Sequence, residues 1–197
     1  MEFFNLSAVP NSRKSLLDVT NTESLTSSIQ RQDCTLYSRV GFRGMGAESF
    51  LMSHGLPIPS KPNQSLLFEH GLVVLRLSKS EFWLVDLDNT YHELIETLEF
   101  DAKGLEDVYR LFCQHSHACF LFKGEQTAAM FSKVCGVDLR SDAFPLGSVA
   151  QTSVARTNGI VTKQDSDSHG EFFLLLSDLA SSHYLWEALA DAASEFV

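Results

Sequence analysis

Phe42-Arg43-Gly44 returns in the second half of the chain as Phe122-Lys123-Gly124, and the stretches after the two tripeptides are alike. A helix-like stretch comes next, 47–53 in the first copy and 127–134 in the second. Each stops near a glycine, Gly55 and Gly136, where a left-handed cap is expected. A loop holding proline comes after it (Pro57, Pro59 and Pro62; Pro145), then a glycine, Gly71 and Gly147. A strand pair closes each copy: 72–76 answers 149–156, and 81–85 answers 171–175. The first pair turns tightly at 78–80, whereas the second carries a polar tip at 163–170, the kind of site that tolerates insertion. Helices at 91–98 and 183–190 end the copies, the latter with Leu185, Trp186, Leu189 and Ala192 on one stripe.

With opening strands at 34–43 and 118–123, the chain reads β-α-β-β-α twice. Helices laid on one face of antiparallel sheet make an α+β layer. One copy alone has a thin core. The expectation is therefore one pseudo-twofold domain, 31–197, built of two tandem halves at about 31–100 and 107–197. Residues 1–30 are rich in Ser, Thr and Asn and sustain no face of either period, so they read as an extended N-terminal arm. Leu16, Leu17, Val19, Leu25 and Ile29 within it can lie on a partner.

The chain has 197 residues, 44% of them apolar and 20% charged, a globular composition. A formal charge of −10 argues against nucleic acid as a partner. The longest apolar runs, 118–122 and 172–176, fall far short of the ~20 residues of a spanning helix. The start, MEFFNLSAVP, has an early Glu2 and makes a poor signal peptide. Cys34, Cys113, Cys119 and Cys135 are spread out, which suits buried thiols in a reducing, cytoplasmic setting.

Few motifs carry chemistry. Glycines 41, 44 and 46 precede a helix and can cradle a phosphate, or simply make a strand-to-helix turn. Their spacing matches neither dinucleotide nor P-loop fingerprints. Cys113, His115, His117 and Cys119 alternate, but at ~3.3 Å per extended residue the two thiols are too far apart for one ion. The two histidines would need a third ligand from elsewhere, and the alternative is a polar turn into the next strand; no metal site is assigned. No nucleophile elbow or His-Glu-x-x-His is present. Arg76 and Arg156 fall at matching places in the two copies, and as a pair they can hold an anionic ligand or serve structure. Phe82, Trp83, Phe172, Phe173 and Trp186 read as core. No catalytic residue is assigned.

Several strings together resemble a known family. In the second half these are Cys135-Gly136-Val137-Asp138-Leu139, Ala143-Phe144-Pro145-Leu146-Gly147, Ala150-Gln151-Thr152 with Ala155-Arg156, and Tyr184-Leu185-Trp186. The first half adds the run 39–47, Gly55-Leu56-Pro57 and Pro62-Asn63, and the arm adds Arg13-Lys14-Ser15. This set is similar to the gamma subunit of heterotetrameric sarcosine oxidase, over about 31–197. Two departures are the segment 112–115 and the acidic tip at 165–167.

The resemblance implies a small, non-catalytic assembly subunit of a complex that demethylates sarcosine to glycine and passes the one-carbon unit to tetrahydrofolate. It implies a fold like the folate-binding region of aminomethyltransferases. It places FAD, FMN, NAD, zinc and the principal tetrahydrofolate site in larger flavoprotein partner subunits, with no cofactor in this chain. A docking role predicts exposed apolar surface on the isolated chain. Two alternatives stand beside it. One is a stand-alone folate-binding module or one-carbon transferase, although Lys123-Gly124-Glu125-Gln126 lacks the cysteine of the related folate-dependent iron–sulfur assembly proteins. The other is the equivalent subunit of an N-methylglutamate or dimethylglycine dehydrogenase complex.

Overall fold

The computed structural model describes residues 9–15, 17, 22–69 and 71–196. After a helical turn at Pro10–Ser12 come β1 (Glu23–Ser24), β2 (Gln30–Asp33), β3 (Arg39–Arg43), α1 (Ala47–Ser53), β4 (Gln64–Phe68), β5 (Leu72–Arg76) and β6 (Glu81–Asp86). Next in the chain are α2 (His92–Asp101), β7 (Tyr109–Leu111), the one-turn α3 (Cys113–Ser116), β8 (His117–Lys123) and α4 (Thr127–Ser132). The chain finishes with β9 (Val149–Val154), β10 (Thr157–Ser166), β11 (Gly170–Asp178), a helical turn at Leu179–Ser181 and α5 (Ser182–Ala193). It divides into two compact units: residues 37–115, and residues up to 36 together with 116–197.

In the unit 37–115, β4-β5-β6-β3-β7 form an antiparallel sheet. Val40, Phe42, Leu72, Val74, Phe82 and Leu84 face Phe50 and Leu51 of α1 and Ile95 and Leu98 of α2. In the other unit the order is β1-β2-β8-β11-β10-β9, again antiparallel. Phe120, Phe122, Val161, Phe173 and Leu175 pack there with Met130 and Phe131 of α4 and Leu185, Trp186 and Leu189 of α5. The opposite strand faces are buried too: Val73, Leu75 and Val85 in one unit, Cys119, Leu121, Leu174 and Leu176 in the other. Strands buried on both sides read as unbroken apolar runs, and 72–75 and 172–176 do.

The two units repeat one local construction, and the hydrogen-bond register corrects several alignments read from the sequence. Phe42 pairs with Phe82, which pairs with Arg76; Phe122 pairs with Phe173, which pairs with Lys163. The structural counterpart of Phe82 is therefore Phe173 rather than Phe172, a slip of one residue. The counterpart of Arg76 is Lys163 rather than Arg156. Strand 72–76 answers β10, and the counterpart of β9 is β4, a strand absent from the β-α-β-β-α reading. Asn63 and Gly147 lead into these two strands alike: both have positive φ (58° and 79°), and their N–H groups donate to the Arg76 and Lys163 carbonyls at 2.8 and 2.9 Å.

Of the expected strand 34–43 only 39–43 is strand, as β3, and β2 lies just before that span. β2 is hydrogen-bonded to β8, while β3 belongs to the other sheet; reciprocally, β7 precedes β8 in sequence but pairs with β3. The halves drawn at 31–100 and 107–197 thus assign β2 and β7 to units with which they do not pair. The arm boundary also moves. Ile29 is fully buried, Leu17 and Leu25 pack against the same core, and Gln30 is already in strand. Arg13 Nη1 donates to the Leu36 carbonyl at 2.7 Å, and Ser15 Oγ donates to Asp33 Oδ2. Leu16 and Val19 lie outside the described residues.

Gly44 and Gly124 account for the recurring tripeptide. Their φ values are 137° and 120°, a region that side chains with Cβ rarely enter. An added Cβ would sit 1.9 Å from the Asp107 carbonyl oxygen at Gly44 and 2.0 Å from that of Ser28 at Gly124. Gly55 does cap left-handed at φ 79°, whereas Gly136 is not left-handed.

Candidate functional site

Arg76 closes β5 and its guanidinium lies 5.2 Å from the centre of the Phe82 ring. Glu48, in the first turn of α1, grips it at both ends: Nη1 donates to Oε1 at 2.9 Å and Nη2 to Oε2 at 2.8 Å. Nη1 also donates to the Pro59 carbonyl at 3.0 Å. A fork-to-fork pair of this kind is among the stronger polar contacts. Arg76 is spent on holding α1 and the proline loop to the sheet.

Arg156 occupies a different kind of place. Ala155 and Arg156 (φ 46° and 67°) form the two-residue turn joining β9 and β10, a geometry that matches the twist of a hairpin. Arg156 is exposed. The turn is pinned through its neighbour: Ala155 N–H donates to the Val134 carbonyl at 2.8 Å, and the Tyr184 hydroxyl donates to the Ala155 carbonyl at 3.0 Å. The Ala155-Arg156 and Tyr184 strings thus meet as one structural clamp.

The residue that sequence reasoning missed is Lys163. Read as the start of a polar tip, it lies inside β10, with its side chain only 2% exposed. Its Nζ donates to Ser141 Oγ at 2.7 Å, pairs with Glu171 at 2.9 Å and lies 5.5 Å from the Phe173 ring centre. It borders a cleft of about 380 Å³ with Gly124, Glu125, Ala128, Arg140, Ser141, Glu171 and Phe173. An adjoining hollow adds Lys123, Gln30 and His169. The Arg140 fork is turned to Asp138, with Nε donating at 2.9 Å, and holds that carboxyl down at about 2.

The counterpart of Glu48 explains why this cleft is open. Counting from the equivalent glycines Gly44 and Gly124, Glu48 corresponds to Ala128. One unit fills the space beside its cation with a carboxylate from the helix; the other, whose lysine pairs with Glu171 of a strand, puts a methyl group at that helical position.

Two other polar features support structure. Arg31 stacks 3.7 Å from the Trp186 ring centre, donates to the Trp186 carbonyl and pairs with Glu23 at 2.8 Å; burial pushes its pKa down against the pull of Glu23. Asp86 is fully buried and accepts from Tyr91 N–H at 2.8 Å and Asp88 N–H at 3.4 Å, fixing the entry to α2. Burial raises its carboxyl to about 6. His115 ends up in the one-turn helix and His117 in β8; among the described residues no three His, Cys, Asp or Glu side chains gather in a metal-like group. Exposed apolar side chains include Met45, Met52, Phe100, Tyr109, Phe112 and Tyr184. No helix of the described residues is long and apolar enough to cross a membrane.

No family model matches the chain, and no curated protein matches it in sequence. Solved structures do. The fold is similar to a chain of the heterotetrameric sarcosine oxidase from Corynebacterium sp. U-96, at 22% identity and a TM-score of 0.71, covering 85% of each chain. It is also similar to the glycine cleavage system aminomethyltransferase T from Bartonella henselae, at 19% identity and a TM-score of 0.58 over 84% of this chain. There it spans 46% of the aminomethyltransferase, just under half its length. The resemblance read from the sequence is met at the level of the fold: the chain has the two-sheet α/β architecture common to these two proteins.

Proposed function

We propose that this chain is the small, non-catalytic subunit of a heterotetrameric sarcosine oxidase-type complex, in which it docks against larger flavoprotein subunits. The observation that carries the reading is the match in length as well as fold: coverage of 85% in both directions makes the two chains near-equal in size. The aminomethyltransferase is nearly twice as long by the same measure. The polar clusters fit the reading. The fork of Arg76 is taken up by Glu48, Arg31 by Trp186 and Glu23, and the Ala155 turn by Tyr184, so each secures an element of the fold. Exposed Met45, Phe100, Tyr109 and Phe112 supply apolar surface of the kind that interfaces bury. On this proposal the two units are halves of a pseudo-twofold domain. FAD, FMN, NAD, zinc and the principal tetrahydrofolate site belong to the partner subunits, and the complex is cytoplasmic.

Co-expression of the tagged chain with the flavoprotein subunits of such a complex, followed by gel filtration, tests it. A stoichiometric assembly that loses sarcosine oxidation when this chain is withheld is expected. An oxidase that assembles and turns over without the chain refutes it. A second reading, a folate-binding module, draws on the aminomethyltransferase fold. Calorimetry with a reduced folate separates the two, since stoichiometric binding by the chain alone favours the second.

A further inference from the structure

We propose that the Lys163 cleft is a binding site for a small monocarboxylate, and that Glu48 on Arg76 shows how the ligand is held. At equivalent places each sheet puts a cation over an aromatic ring: Arg76 over Phe82, Lys163 over Phe173. In the unit 37–115 a carboxylate completes the arrangement from the first turn of the neighbouring helix. In the other unit Ala128 takes that helical position, and the vacated space is the cleft of about 380 Å³, within the size range of small-ligand pockets.

The remaining parts suit one carboxylate. Lys163 is almost wholly buried, so its charge is poorly hydrated, and two of its three N–H donors are taken, by Ser141 and Glu171. A lysine ammonium has three. Arg140 stands at the rim with its Nε and one Nη engaged by Asp138. Glu171 is paired with Lys163, while Glu125 lines the cleft and repels ions of higher negative charge more strongly, which favours a monoanion over a phosphate. Bound, the ligand would accept from Lys163 Nζ while its apolar end rests on Ala128 and Phe173.

Acetate is the probe, titrated into the full-length chain at constant ionic strength against chloride, with the backbone amide shifts of Gly124, Ala128 and Ser141 as the readout. Saturable changes with a midpoint at millimolar acetate are expected, with inorganic phosphate weaker. Ala128→Glu supplies the missing carboxylate in cis: it should weaken acetate at least tenfold and raise the unfolding temperature. Lys163→Met should weaken acetate to the same extent, and if that variant fails to fold, Ala128→Glu decides alone. Unsaturable drift, phosphate binding more tightly than acetate, or an unchanged midpoint in a folded variant overturns the proposal.

Discussion

Gly44 and Gly124 lend themselves to a graded test of the repeated turn. Substituting either with alanine forces a Cβ into backbone with φ of 137° or 120°. Residues other than glycine held in such regions cost about 1–3 kcal/mol. The Cβ also meets a carbonyl oxygen, Asp107 at 1.9 Å or Ser28 at 2.0 Å, where real contacts need more than 3 Å. The facing backbone must retreat by over an ångström. At Gly44 that strains the 3.1 Å hydrogen bond from Gly46 N–H to the same Asp107 carbonyl, worth about 1 kcal/mol. The sum is on the order of 3–5 kcal/mol for each variant. Two other glycines calibrate it. Gly55 has φ 79° and open space around its Cβ position, so Gly55→Ala should cost only about 1 kcal/mol. Gly136 has neither left-handed φ nor a close neighbour, so Gly136→Ala should be neutral or stabilising by up to about 1 kcal/mol. Urea unfolding followed by circular dichroism measures all four. Should Gly124→Ala cost no more than Gly55→Ala, the close approach of the Ser28 backbone, and with it the docking of the N-terminal segment on this unit, is refuted.

Three further outcomes rest on particular contacts. Asp86 rises from 3.8 to about 6 on folding, so between those values the folded state binds the extra proton and stability falls as pH rises. Wild type should lose on the order of 2–3 kcal/mol relative to Asp86→Asn between pH 4 and pH 7 in urea titrations, and parallel pH profiles would contradict the burial of this carboxyl. Arg31→Met removes the cation over Trp186 and the bond to its carbonyl, and should cost about 1–3 kcal/mol, a loss that added salt does not reproduce in wild type because the pair is buried. Tyr184→Phe should cost about 1 kcal/mol and speed amide exchange at the Ala155 turn, since only the hydroxyl that holds that carbonyl is removed.

What the sequence displays and what it conceals divide along the range of the interactions. Turns and caps are local. Gly44, Gly124 and Gly55 announce themselves because glycine is the residue that takes their φ at least cost, and the helices α1, α2, α4 and α5 are legible from apolar spacing. β2 and β7 are short polar strings, Gln-Arg-Gln-Asp and Tyr-Arg-Leu, and what makes each a strand is a ladder to a segment distant in sequence. Nothing within four residues encodes which sheet they join. β4 hides for a related reason: only Leu66 and Phe68 of its five residues pack on the core, and its polar start blends into the loop before it. The slip between Phe172 and Phe173 has a sharper cause. Period-two patterning sets register when one strand face is wet, but both faces of β11 are buried, so either phenylalanine satisfies the pattern. That ambiguity also concealed the cleft. Aligned by the strings, Arg76 answers Arg156 and Lys163 is a loop residue. Glu48 answers Ala128 in either alignment, but only the ladder sets Arg76 against Lys163, and so only the ladder shows that the helix carboxylate beside the first cation has no counterpart on the helix beside the second. A conversion of Ala128 to Glu that stabilises the protein would therefore report on register as directly as on binding, because the string alignment sets Arg156, an exposed turn residue, where the ladder sets Lys163.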